Sequence, residues 1–106
     1  MKKIYLFCNA GMSTSMLASK MQGVADQHNI PVKVAAFPHY KLGDIIDTDR
    51  PDCILLGPQV KFMYDETVSR YGSENIPIAV IDAGAYGMMD GEKVLKTAIK
   101  LIKSNK

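Results

Sequence analysis

Short apolar runs alternate with stretches of helical periodicity four times along this chain, and that alternation restricts its fold more than any other feature. Lys3–Phe7, Val32–Phe37, Cys53–Leu56 and Ile78–Ile81 are brief and rich in Ile, Val, Leu or aromatic residues. Gly, Pro or Asn bounds each of them, as expected of strands. Between the first two runs, Met16, Leu17, Met21, Val24 and Ala25 recur at helical spacing. Ser13, Thr14 and Ser15 are expected as hydroxyl caps at that helix start, and Asn29-Ile30-Pro31 as its stop. From Pro58 onward, Val60, Met63, Tyr64, Thr67, Val68 and Tyr71 mark a second amphipathic helix, closed by Gly72. The last helix carries Val94, Leu95, Ala98, Ile99 and Ile102 on one face and is capped by Asp90. Its lysines 93, 96, 100 and 103 lie mostly outside, the late ones suiting the negative end of the helix dipole. Over residues 39–52, Leu42, Ile45 and Ile46 support one short helix at best.

A β-α order repeated four times predicts parallel strands, right-handed crossovers and helices on both faces. The near-continuous apolar runs 54–56 and 78–81 fit a sheet covered on both sides. The expected fold is α/β, an open four-stranded parallel sheet in order 2-1-3-4, flavodoxin-like or low-molecular-weight phosphatase-like. Its 106 residues suffice for one core, so residues 1–106 are read as a single domain. With 47% apolar and 23% charged residues, disorder is excluded. A net charge of +2, evenly spread, is too weak for a nucleic-acid or membrane-surface footprint.

The start, Met1-Lys2-Lys3 before Ile4-Tyr5-Leu6-Phe7-Cys8, is charged like a signal peptide, but its apolar stretch is too short. Nothing else approaches the roughly 18 apolar residues of a membrane span. The chain is therefore read as cytoplasmic, with Cys8 and Cys53 as thiols rather than a disulfide pair.

In a sheet of this order, ligands bind where strands 1 and 3 end, at the topological switch point. Those ends are Cys8-Asn9-Ala10-Gly11-Met12-Ser13-Thr14-Ser15 and Gly57-Pro58-Gln59. A glycine-containing loop feeding a helix start offers backbone N–H groups and the positive helix end, which favour phosphate. The same field favours thiolate over thiol, making a cysteine there a nucleophile able to accept phosphorus. The plainer alternative makes Cys8 a small buried hydrophobe at a strand end.

What the loop lacks narrows the chemistry. There is neither a G-x-G-x-x-G fingerprint nor a G-x-x-x-x-G-K-[ST] nucleotide loop. Cysteine-dependent phosphatases place an arginine six residues after the nucleophile, where this chain has Thr14. Without that guanidinium fork, stabilisation of a transferring phosphoryl group falls to backbone N–H groups and hydroxyls. The absence of Cys-x-x-Cys disfavours thioredoxin-like redox chemistry. A thiol able to accept phosphate but poorly equipped to hydrolyse it suits a carrier.

The loop from Cys8 to Ser15 resembles the active loop of IIB components of the bacterial phosphoenolpyruvate-dependent sugar phosphotransferase system, in the lactose/cellobiose/chitobiose class. The likeness is closest to the cellobiose and N,N'-diacetylchitobiose branch. Leu55-Leu56-Gly57-Pro58-Gln59, and the run from Ile81-Asp82 through Tyr86-Gly87 to Asp90-Gly91, resemble the same class, so that the likeness spans essentially the whole chain. His39, after Phe37-Pro38, departs from it, since an acidic residue is expected there. The variant with a glycine-rich loop after the cysteine does not match, which makes a lactose-specific assignment the weaker choice.

The resemblance implies a phosphotransferase of the protein-phosphocysteine:sugar type. Cys8 takes the phosphoryl group from phosphohistidine of a IIA protein, and N–H groups from Asn9 to Ser15 hold it. It then passes to cellobiose, diacetylchitobiose or a related β-glucoside presented by the membrane IIC permease. Neither a metal nor an organic cofactor is implied, nor is nucleic acid or membrane insertion, and a carrier that must meet two partners is expected to be monomeric.

Three residues are expected to flank the crevice. Gln59 and Tyr86 either touch the phosphoryl group or IIA, or are a turn residue and a packed aromatic. Asp82 is either a general acid, as a phosphatase requires, or a helix or turn cap. A phosphatase relative and a non-covalent anion-binding flavodoxin-like module thus stand as alternatives. Cys53 is read as core. His28 and His39 are too few and too separated for a metal site, and His28 is placed at the end of the first helix. The C-terminal lysines are read as a solvated face, and the seven methionines as gap-fillers, apart from Met12, which is placed to meet a partner.

Overall fold

From Ile4 to Cys8 every side chain of the first strand is buried, as only a central strand covered on both faces requires. The computed structural model describes residues 1–9 and 11–104, with the side chains of residues 11–13 left out of the description. Ala10, Asn105 and Lys106 lie outside the described residues, so the expectations placed on Ala10 and on the side chains of Met12 and Ser13 do too. The strands are β1 (Lys2–Cys8), β2 (Val32–Pro38), β3 (Cys53–Leu56) and β4 (Ile78–Val80), all parallel in the order 2-1-3-4. Residues Lys2 to Cys8 pair in register with Val32 to Pro38, and Ile4 to Phe7 with Cys53 to Leu56.

Alternation along the strands builds two cores. Ile4, Leu6, Cys53 and Leu55 face α1 (Gly11–Gln27) and α5 (Gly91–Ser104), where Leu17, Met21, Val94, Leu95 and Ala98 meet them. Tyr5, Phe7, Ile54 and Leu56 face the opposite way, toward α2 (Leu42–Thr48) and the connection after β3. That connection is a 3-10 segment, Pro58–Met63, followed by α3 (Tyr64–Tyr71); a non-helical Val60 separates it from a continuous helix. Asp90 caps α5 as expected, accepting the Lys93 N–H at 3.1 Å.

Several local expectations are corrected or refined. The first helix begins at Gly11, so Thr14 and Ser15 lie inside it rather than at its cap; Thr14 is fully buried and Ser15 exposed. Met16 faces out and Ala18 lies in the core, since Leu17, Ala18, Met21 and Ala25 share one helical stripe at 3.6 residues per turn and Met16 falls on the far side of it. Gly72 closes α3 as expected, right-handed at φ −60°, and the left-handed residue comes three positions later at Asn75, φ 61°. Ile81 falls just past β4, although its N–H still reaches the Leu56 carbonyl at 2.8 Å. A five-residue helix, α4 (Ala83–Gly87), follows it. His28 donates its backbone N–H to the Val24 carbonyl at the end of α1, with its side chain exposed.

Two buried groups make stability fall in alkali. Burial, with the Asp52 charge second, pushes the Cys53 thiol from 9.0 up to about 12. Burial, then the bond to Asp49, pushes the Tyr5 hydroxyl from 10.0 up to about 12. The folded protein keeps both protons through a range where the unfolded chain loses them. Their contribution is therefore complete below pH 9 and disappears progressively toward pH 12. Urea midpoints measured from pH 8 to 11 should decline steadily, and Cys53→Ala should make the decline shallower even though its midpoint starts lower.

Candidate active site

β1 ends at Cys8, at the switch point between β1 and β3, and the chain bends at the exposed Asn9 before α1 begins at Gly11. The opening turn of an α-helix leaves its first N–H groups without intrahelical acceptors and carries the positive end of the dipole. That turn starts three residues after Cys8. Cys8 is 1% exposed, and neither it nor Cys53 is in a disulfide.

Thr14 decides the local chemistry. It sits in the first turn of α1, fully buried, and its hydroxyl donates to the Cys8 sulfur at 2.8 Å. The position where phosphatases carry a guanidinium here holds a neutral donor turned onto the sulfur. The Thr14 oxygen lies 3.1 Å from the hydroxyl of Tyr86, a residue 72 positions away, carried by α4 and only 9% exposed. Tyr86 therefore belongs to the site through Thr14 and also packs in the core beside α1 and α5.

Gly57 forms the other wall. Its N–H donates to the Phe7 carbonyl at 2.8 Å, holding the end of β3 against the end of β1. A Cβ at this position would stand 3.2 Å from the Cys8 Cβ and 2.8 Å from the Gln59 Oε1. Glycine is needed for this close approach, and the exposed Gln59 folds back over it toward Cys8. Asp82 is the N-cap of α4, its carboxylate accepting the Ala85 N–H at 2.9 Å. That is the cap arrangement of the two foreseen for it, and it anchors the helix that presents Tyr86.

The other candidates lie elsewhere. Cys53 pairs with Ile4 at the opposite end of β1 and is wholly buried. His39 follows β2, its Nε2 3.4 Å from Thr67 Oγ1, and burial lowers its pKa from the ordinary 6.5. No cluster of three or more His, Cys, Asp or Glu able to hold a metal occurs among the described residues. No described helix is long and apolar enough to cross a membrane. The Tyr86–Thr14 pairing escaped the sequence reading. Both residues were in view as candidates, but no local signal joins positions 14 and 86.

This geometry agrees with what the chain is similar to. The family model "PTS system, Lactose/Cellobiose specific IIB subunit" matches residues 3–97. The oligo-beta-mannoside-specific EIIB component of Bacillus subtilis is 38% identical over 96% of this chain and 97% of its own. The cellobiose-specific EIIB component of Lactococcus lactis subsp. lactis is 39% identical over 95% and 96%, and the galactose-specific EIIB component of Lactococcus lactis subsp. cremoris matches at the same values. Among solved structures, the cellobiose-specific IIB component of Borrelia burgdorferi superimposes with a TM-score of 0.81 at 36% identity, covering 99% of this chain and 94% of its own. The lactose-specific IIB domain of Streptococcus pneumoniae shares the fold, with a TM-score of 0.82 at 21% identity over 93% and 95% of the two chains. The chain belongs to the lactose/cellobiose-specific IIB subunits of the phosphotransferase system and is a phosphotransferase, a phosphocarrier in sugar uptake.

Proposed function

We propose that Cys8 is the residue that carries the phosphoryl group, in a single IIB domain spanning residues 1–106. The observation that carries this reading is the buried Cys8 sulfur with the Thr14 hydroxyl directed onto it at 2.8 Å, three residues before a helix start. In charging, the sulfur attacks the phosphorus of a IIA phosphohistidine in line. The S–P bond forms as the P–N bond breaks and the imidazole leaves. Such a transition state is loose, so catalysis consists of positioning and of N–H groups from Asn9 to Ser15 meeting the phosphoryl oxygens. In discharge the sulfur leaves and a sugar hydroxyl on the IIC permease takes the group.

Two features support a relay over hydrolysis. Thr14 replaces the phosphatase arginine, and Asp82 is engaged as a helix cap, away from the role of general acid. The surroundings also suit protein partners. Tyr40, Phe62 and Met88, which are 81%, 77% and 81% exposed, lie on the connections leaving β2, β3 and β4 at the carboxyl end of the sheet. Exposed aromatic and methionine side chains on these connections are the residue types that a protein docking surface uses.

The acceptor proposed is cellobiose, diacetylchitobiose or a related β-glucoside, handled by a monomeric cytoplasmic carrier, with selection made in IIC. In support, relatives named for three different sugars match this chain about equally well. The test is a reconstituted assay with phosphoenolpyruvate, the general phosphotransferase proteins, a cellobiose-type IIA and permease-bearing membranes. Phosphorylation of a β-glucoside should depend on this chain. Turnover of a small aryl phosphate by the chain alone would instead establish the phosphatase reading.

A further inference from the structure

The contacts joining Tyr86, Thr14 and Cys8 have only one consistent direction once the sulfur is in a working state. As thiolate, or bonded to phosphorus, the sulfur has no proton to give, so Thr14 must donate across the 2.8 Å contact. A threonine hydroxyl has a single proton. That proton is spent on sulfur, so the 3.1 Å contact must be donated by Tyr86. Tyr86 is thus the head of a one-way chain that ends on Cys8.

We propose that Tyr86 is a positioning residue that pins the Thr14 proton on the Cys8 sulfur and so prepares that sulfur to leave during transfer to sugar. The inference rests on Cys8 as the phosphoryl acceptor. A helical threonine commonly turns its hydroxyl back to a carbonyl one turn earlier. A donor arriving from Tyr86 fixes the oxygen and leaves the Thr14 proton aimed at sulfur. Thr14 is fully buried and Tyr86 nearly so, so water competes little for either bond. Asp82, by capping the five-residue helix that carries Tyr86, fixes where this donor stands.

The consequence is directional. In discharge the S–P bond breaks with its electron pair on Sγ, a P–O bond forms to the sugar hydroxyl, and the hydroxyl proton passes to solvent. Negative charge grows on Sγ, and a hydrogen bond to thiolate is stronger than one to a sulfur bonded to phosphorus. The pinned proton therefore favours the transition state over the phosphocysteine, with no reorganisation. In charging, negative charge on Sγ is consumed rather than created, so the same bond lends that step no comparable advantage.

Single-turnover rates of both half-reactions test this in wild type, Tyr86→Phe, Thr14→Val, Thr14→Ser and the Tyr86→Phe/Thr14→Val double variant. Tyr86→Phe should slow discharge about tenfold, the worth of one buried hydrogen bond, and charging by less than about threefold. The IIA concentration giving half-maximal charging should stay unchanged, and Thr14→Ser should retain most of the discharge rate. Because Tyr86 acts through Thr14, the double variant should discharge no more slowly than Thr14→Val alone. Equal slowing of both half-reactions, additive losses in the double variant, or normal discharge in Tyr86→Phe would each overturn the inference while leaving Cys8 as the acceptor. A wild-type protein that never acquires phosphate on Cys8 would overturn both.

Discussion

Cys8→Ser should fold as the parent does and lose phosphoryl transfer to sugar by about a thousandfold or more. The exchange of sulfur for oxygen is nearly isosteric in a pocket that already supplies a hydroxyl donor, Thr14, so the thermal midpoint should move little. Chemistry is another matter. A serine hydroxyl is a weak nucleophile unless a neighbouring base takes its proton. Thr14 and Tyr86 present hydroxyls, which donate without acting as bases at neutral pH. The Asp82 carboxylate is held by the Ala85 N–H. Cys53→Ala makes the contrasting case. Cys53 pairs with Ile4, four residues before Cys8, which puts it about 13 Å from the site along the strand. It should cost stability by opening a small void and leave transfer within about twofold of wild type. Initial rates of sugar phosphorylation beside urea titrations separate the two cysteines.

Gly91→Val is expected to have the largest effect on stability, and its cause lies in how α5 meets α1. A Cβ at Gly91 would stand 2.9 Å from both the Lys20 carbonyl carbon and the Met21 nitrogen. These are backbone atoms in the middle of α1 and cannot rotate away. The two helices must separate, uncovering Met21, Leu95 and Ala98, all wholly or almost wholly buried. Overpacking of this kind costs about 1–3 kcal/mol for one added methyl, so even Gly91→Ala should destabilise despite the gain in helix propensity. Valine should cost more, and a loss of ~3 kcal/mol corresponds to a fall of roughly 12–24 °C in a domain of this size. Gly23→Ala is the control. Nothing lies within 4 Å of its Cβ position, so the same change in mid-helix should stabilise by up to ~1 kcal/mol. Calorimetry on the three variants checks sign and size together. Because α1 carries Thr14 against Cys8, the Gly91 variants should also lose transfer rate.

The strands, their order and the position of Cys8 were legible because burial on both faces forces continuous apolar runs, and such runs order a parallel sheet around its switch point. What escaped was set by distance along the chain or by which side of a helix won. The hydroxyls at 13–15 have the composition of a cap, yet the helix starts at Gly11, and Thr14 is drawn inward to the sulfur and to Tyr86. Met16 is apolar, yet at 3.6 residues per turn it falls off the stripe that Leu17, Ala18 and Met21 share. The need for glycine at 91 arises only when two helices 70 positions apart in sequence touch backbone to side. At 57 the demand is of the same kind, set by the meeting of β1 and β3. Local pattern fixes elements and their faces, while such contacts appear only on assembly.

Intact mass and peptide mapping under gentle conditions test the central claim most directly, after the chain is mixed with phosphoenolpyruvate, the general phosphotransferase proteins and a cellobiose-type IIA. The expected result is one phosphoryl group on the peptide bearing Cys8, dependent on IIA, persisting without sugar and absent from Cys8→Ser. A fully phosphorylated IIA that leaves Cys8 unmodified would contradict it.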